Sequence, residues 1–377
     1  MICQRCRYAP VPGPIRGLEP RTLEAIMTAL TKRRCALNAF ATLTLSIAAF
    51  TSTSIAAKAD GEVNIYSYRE PGLIEPLMKA FTEKSGIKTN VVYARDGLNE
   101  RLAAEGRNSP ADLLFTVDIG RLSEAKDMGL TQPVKAEALE KAIPASYRDG
   151  EGHWYGLTLR SRVIYASKER VTQDSITYEE LADPKWKGRI CSRSGRHAYN
   201  ISLIASMIAH KGEAEAEKWL KGVKENLAHR PAGGDREQAR DVYSGKCDIA
   251  IGNTYYVALM LKNPEQKAWA DSIKVMFPNA GDRGSHVNVS GMALAKYAPN
   301  KENAIKLMEF LASPEAQGIY AKANNEYPIS SEVAPSEVVQ SWGKLNPDKL
   351  PLEEVAKLRK KAAELVDKVD FDAGPSS

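Results

Sequence analysis

Histidine is scarce in this chain, five in 377 residues, and none stands in a His-Glu-x-x-His helix. No Walker loop, no Gly-x-Gly-x-x-Gly and no Gly-x-Ser-x-Gly occurs either. Those absences remove the sequence signatures of zinc peptidases, phosphate-loop enzymes, dinucleotide enzymes and elbow-type serine hydrolases. With no nucleophile–base pair to put in their place, the chain is not expected to be an enzyme. Excess positive charge is also missing from most of the molecule. The formal charge is +5, but residues 1–59 hold eight Lys/Arg and two Asp/Glu, which leaves about −1 for the rest. A nucleic-acid partner loses its electrostatic footing.

Long apolar runs are lacking as well. Residues 36–50 make a run of about 15, short of the roughly 18 that a spanning helix requires, so a permanent anchor is not expected. Lys32-Arg33-Arg34, that run and Ala57-Lys58-Ala59 follow one another as the basic, apolar and cleavage parts of an export signal. Cleavage is expected before Asp60, with a leader over 1–59 and a signal peptide over 27–59 that starts at Met27. Cys3-x-x-Cys6 then lies upstream of the true start and carries no metal or redox role. No Cys closes the apolar run, which argues against a lipidated N-terminus, and Arg33-Arg34 leaves the general and twin-arginine export routes both open. Beyond the leader only Cys191 and Cys247 remain, an even number in an oxidising compartment, and they are expected to be bonded to each other.

What is present is a regular alternation. Apolar strand-like runs at 63–66, 89–93, 113–117, 162–165, 248–251 and 274–277 are separated by helical patterns at 73–84, 98–105, 202–210, 214–224 and 304–311. Asn300 and Ser313-Pro314 mark helix starts, and 352–368 reads as a terminal amphipathic helix. The fold class is α/β with largely parallel sheets, in two lobes joined by strands rather than by a flexible linker. The lobes are expected at 60–161 plus 287–335 and at 162–286 plus 336–377.

Tyrosines supply the chemistry. Tyr255 and Tyr256 are adjacent in Gly252-Asn253-Thr254-Tyr255-Tyr256-Val257, just after an apolar strand, and Tyr199 stands in Arg196-His197-Ala198-Tyr199-Asn200. Phenol oxygens are hard donors suited to a small, highly charged cation, and ferric iron is the natural choice; packing tyrosines are the plain alternative. Gly233-Gly234-Asp235 and 191–196 have the composition of backbone anion cradles, or of simple helix-start turns. Tyr68, Arg69 and Glu70 close the first strand, at the end where open α/β sheets bind ligands.

Several segments resemble the periplasmic ferric-iron-binding proteins of ABC importers. These are Tyr66-Ser67-Tyr68-Arg69-Glu70-Pro71, Ser109-Pro110-Ala111-Asp112, Ala182-Asp183-Pro184-Lys185-Trp186-Lys187-Gly188, Asn253-Thr254-Tyr255-Tyr256, and Phe277-Pro278-Asn279 through His286-Val287-Asn288-Val289-Ser290-Gly291. The resemblance implies a two-lobed periplasmic-binding-protein fold of the second type, with two crossover strands and iron held in the interlobe cleft. Its ligand pattern falls on Tyr199, Tyr255 and Tyr256. Some members add a His-Tyr pair after the first strand, where this chain has Glu70-Pro71. The departure points to the branch with three tyrosine ligands plus carbonate or a similar anion, with Glu70 as a further carboxylate candidate. Arg69, Arg162 and Tyr68 are the candidates for holding that anion. The resemblance also implies an inner-membrane permease and its ATPase as partners, a periplasmic location and a soluble monomer. A receptor for an organic solute or anion on the same fold is the alternative, and a secreted enzyme using such a cleft the more distant one.

Overall fold

Strand pairing explains the architecture. The computed structural model describes residues 61–376, so the leader, its cleavage point and Cys3-x-x-Cys6 lie outside the described residues. Nine strands are present among the described residues: β1 Glu62–Ser67, β2 Lys88–Tyr93, β3 Leu113–Thr116, β4 Tyr155–Ser167, β5 Ile190–Cys191, β6 Ile249–Asn253, β7 Ile273–Met276, β8 Val287–Leu294 and β9 Tyr327–Pro328. They follow the order β2-β1-β3-β8-β4-β6-β5, with β7 and β9 also on β4.

The expectation of largely parallel sheets is corrected. Only β1–β2, β1–β3 and β5–β6 run parallel, whereas β3–β8 and every pairing of β4 are antiparallel. The reason lies in β4, which is thirteen residues long and buried throughout. Its first half pairs with β8 and its second half with β6 and β7, so one strand serves both lobes. Chain connectivity then brings its neighbours in against it, and the 277–286 segment between β7 and β8 makes the return crossing.

Each lobe has its own core. Val63, Ile65, Leu113 and Leu114 lie fully buried in the first, where each large aliphatic side chain contributes about 1.5–3 kcal/mol relative to exposure. Ile164, Ile190, Ile204, Ala205 and Ile249 lie in the second, with Val163, Tyr165 and Cys191 in a satellite cluster beside it. The terminal helix expected at 352–368 is two helices, Leu352–Lys357 and Arg359–Val369, broken at Leu358. The break lets Leu352 and Ala356 pack on the first core while Ala362, Leu365 and Val366 pack on the second. Asn300 stands before helix Lys301–Ala312 but does not cap it; its backbone N and Nδ2 donate to Asp112 at 2.6 and 3.1 Å. Ser313 does cap, accepting from the Ala316 N–H.

Cys191 and Cys247 form the expected disulfide, with Cα atoms 5.8 Å apart across a sequence separation of 56. It ties β5, the strand before the Tyr199 segment, to the loop that enters β6, the strand before Tyr255 and Tyr256. A loop of that size contributes about 4 kcal/mol by restricting the unfolded chain. Double replacement by Ser is therefore expected to lower the urea midpoint by up to that equivalent, and thiol titration of unfolded, unreduced mature protein should find no free thiol.

Candidate metal centre

Two helix starts converge on the phenols. Helix Thr254–Leu261 follows β6 directly, so Tyr255 and Tyr256 fall in its first turn. Gly252 is required there, because a Cβ would sit 2.1 Å from the Tyr165 ring. That ring lies across the strand and its Oη donates to the Asn253 carbonyl at 2.5 Å, fixing the exit of β6. Tyr199 is the second residue of helix Ala198–Lys211, whose N-cap His197 accepts the Tyr199 N–H through Nδ1.

The structure brings the three tyrosines together. Tyr199 Oη and Tyr255 Oη are 3.2 Å apart, and the Tyr255 and Tyr256 ring centroids are 4.2 Å apart. Tyr255 is buried, while Tyr199 and Tyr256 are half-buried. Burial pushes the Tyr255 phenol well above its ordinary value, and the neighbouring Tyr199 and Tyr256 push it further, against Arg160. Tyr256 is raised too, first by burial and then by Tyr199 and Asp235. Without a cation both phenols stay protonated.

Arginines surround them. The guanidinium carbons of Arg193, Arg160 and Arg162 lie 5.4, 5.5 and 5.9 Å from the Tyr199 ring centroid. Arg162 is engaged by Asp235 at 2.6 Å, Asn253 at 3.1 Å and Asn200 at 2.7 Å. Asp235 also meets Arg193 at 3.1 Å. Burial alone would raise the Asp235 carboxyl, but Arg162 and Arg193 hold it below the usual carboxylate range. Arg160 is different. Its Nη1 donates to Ser290 Oγ at 3.0 Å, whereas its buried Nε and Nη2 meet no acceptor among the described residues. A small cavity opens beside it, lined by Arg160, Arg162, Tyr199, Asn253, His286 and Asn288. Burial holds His197 down to about 3, helped by Arg193, and His286 down to about 4, so both imidazoles are neutral.

The other sequence candidates have partners of their own. Arg69 pairs with Glu326 at 2.7 Å and donates to Ser290 Oγ; burial alone would lower its pKa, but the Glu326 carboxylate outweighs that and holds it above the ordinary guanidinium value. Tyr68 Oη accepts from Asn99 N at 2.8 Å and donates to Asn99 Oδ1 at 3.2 Å, with Arg121 stacked 4.0 Å from its ring. Glu70 is exposed and makes no side-chain hydrogen bond among the described residues. The Gly233-Gly234-Asp235 turn is a helix start: Glu237 accepts the Gly234 N–H at 2.8 Å. Cys191, His229 and Asp241 cluster, but the Cys191 sulfur is committed to the disulfide and offers no thiolate. Sequence reasoning missed Arg160 and Asp235. The signal for Arg160 was Arg160-Ser161-Arg162 inside an apolar strand, since a period of two puts both arginines on one face.

Comparison with known proteins identifies the family and the fold. The model of the bacterial extracellular solute-binding proteins matches residues 108–347. The chain belongs to that family. Its members are solute receptors, not an enzyme family, and the protein is accordingly periplasmic; no helix among the described residues is long and apolar enough to cross a membrane. Iron uptake protein A1 of Synechocystis is 44% identical over 298 residues, covering 78% of this chain and 83% of the relative. The solved Bordetella ferric binding protein is 52% identical, with a TM-score of 0.78 over 82% of this chain and 99% of that one. The Trichodesmium protein solved in complex with iron and citrate ligands is 43% identical, with a TM-score of 0.80 over 82% of this chain and all of that one. This solute-binding protein shares their two-lobed fold.

Proposed function

We propose that the protein is a periplasmic receptor that binds ferric iron through Tyr199, Tyr255 and Tyr256, with an anion beside the iron, and delivers it to an ABC permease and its ATPase. The observation that carries the reading is the meeting of three phenols at two helix starts, next to a buried arginine with free nitrogens. Ferric iron is acid enough to displace protons that burial holds firmly on Tyr255 and Tyr256, and three phenolates neutralise its charge. We take the lobes as 60–161 plus 287–335 and 162–286 plus 336–377, with Val339, Leu352 and Ala356 reaching across to the first core. The receptor acts as a soluble monomer.

Charge balance supports the anion. Among the described residues, Arg69, Arg160, Arg162 and Arg193 are paired with two carboxylates, Glu326 and Asp235, so two positive charges there stay uncompensated at the tyrosine cluster. An uncompensated buried charge is costly. Iron with three phenolates is neutral and leaves the imbalance in place, whereas a dianion such as carbonate removes it. Arg160, through its free Nε and Nη2, is the chief holder of that anion, while Arg69 and Arg162 add field and Tyr68 stays with Asn99.

Metal analysis and the visible spectrum of the purified mature protein test the reading, because a ferric–phenolate complex is coloured. Arg160→Gln should keep the colour but lose bicarbonate dependence, weakening iron binding by about tenfold to a hundredfold, the equivalent of one charge-assisted hydrogen bond. A colourless protein that binds anions or organic solutes without iron would overturn the proposal in favour of a solute receptor on the same fold.

A further inference from the structure

The turn that delivers Tyr199 is held from outside by the end of the chain. Residues 192–197 lead from β5 into helix Ala198–Lys211. Asp372, in the short helix Phe371–Ala373, accepts the Gly195 N–H on Oδ1 at 2.7 Å and the Ser194 hydroxyl on Oδ2 at 2.5 Å. Ser194 then organises the turn, since its Oγ accepts from Arg196 N at 3.2 Å and its carbonyl accepts from His197 N at 3.2 Å and Asn200 Nδ2 at 3.1 Å. Gly195 has no side chain because there is no room for one. A Cβ there would lie 2.8 Å from the Phe371 ring and 3.0 Å from Val366. The tail is itself fastened, with Arg230 Nε donating to the Asp372 carbonyl at 2.8 Å.

We infer that Asp372 is a positioning residue for iron binding: its carboxylate sets the start of helix Ala198–Lys211 and, through it, where the Tyr199 oxygen stands. The inference rests on the proposed role of Tyr199. The helix start is the sensitive point, because Tyr199 is only one residue beyond its first position and its oxygen must meet that of Tyr255. The same turn orients Asn200, which holds Arg162 Nη2 at 2.7 Å. A metal site tolerates little displacement of a ligand whose supporting shell has been loosened. Asp372 touches neither phenol nor cargo, so its effect is entirely on geometry.

The test is carried out on the mature, iron-loaded protein. Asp372→Ala removes both acceptors and should shift the ferric–phenolate band and weaken iron binding about tenfold, the scale of one charge-assisted hydrogen bond. Asp372→Asn keeps an acceptor for the Gly195 N–H and a donor for Ser194 Oγ, and should restore the band with affinity within about threefold, a smaller change than one such bond. Asp367→Ala, which breaks the exposed Arg196–Asp367 pair on the preceding helix, should leave the band in place. If Asp372→Ala does not fold, Ser194→Ala is read by the same band: a shift supports the inference and an unchanged band overturns it. An Asp372→Ala protein that is merely less stable, with the wild-type band and affinity, also overturns it, provided Tyr199→Phe loses colour or affinity. Should Tyr199→Phe keep both as well, the fault lies with the tyrosine site itself.

Discussion

Tyr255→Phe is expected to strip the iron complex of most of its visible colour and to weaken ferric binding by more than the roughly 10–100-fold that follows loss of an outer-shell partner. Only an oxygen is removed. The ring still packs against Tyr256, with which it lies at 4.2 Å, so the fold should persist and the melting curve should barely move. Tyr256→Phe and Tyr199→Phe should act in the same direction. Tyr147, packed against the first core, and Tyr297, exposed on the surface, serve as controls whose replacement leaves colour unchanged. The pH dependence has a definite sign. Burial keeps protons on Tyr255 and Tyr256, and each proton that iron displaces makes binding steeper by about one decade per pH unit. Affinity therefore falls as pH falls, and a titration of the visible band from pH 8 downward reads it. Wild-type colour and affinity in all three Phe variants would dismiss the tyrosine site.

The tyrosines were legible because their signal is local. A tandem pair directly after a glycine-containing strand falls in the first turn of the next helix, and strand ends are where this class of sheet presents residues to ligands. Helix 98–105 was equally local and is found with those bounds. What escaped was non-local. Nothing in Gly233-Gly234-Asp235 announces that Asp235 lies beneath Arg162 and Arg193, because that contact depends on β4, β6 and the 192–197 turn all being in place. The antiparallel course of β4 was hidden for the same reason: its alternation is masked by burial on both faces, and its length exceeds the 162–165 core visible in the sequence. The anion candidates illustrate the limit. Tyr68 and Arg69 stand at a strand end as expected, yet Asn99 and Glu326, distant in sequence, engage them.

Asp235→Asn should be among the most destabilising single changes in the second lobe. Asp235 is 2% exposed and balances both Arg162 and Arg193, while one of its oxygens also accepts the Asn253 N–H at 2.9 Å. The amide keeps the shape and one acceptor but removes the charge, leaving two guanidiniums without a carboxylate. Breaking a buried pair in this way costs about 3–5 kcal/mol, and the loss should appear as a lower urea midpoint at pH 7. Protonation of the native residue mimics the substitution. Because the carboxyl is held below its ordinary value by the arginines, its contribution is fully present above the unfolded value near 4 and is lost as pH falls through the lower folded one. Wild type should thus lose stability on acidification over a range where the variant, already uncharged there, loses less, so that the two midpoints approach one another in acid. Midpoints that differ as much in acid as at pH 7, or not at all at pH 7, would show that Asp235 does not balance this cluster. An added anion gives a second reading of the same charge: bicarbonate should raise the midpoint of the variant more than that of wild type, since it meets guanidiniums that Asp235 no longer neutralises.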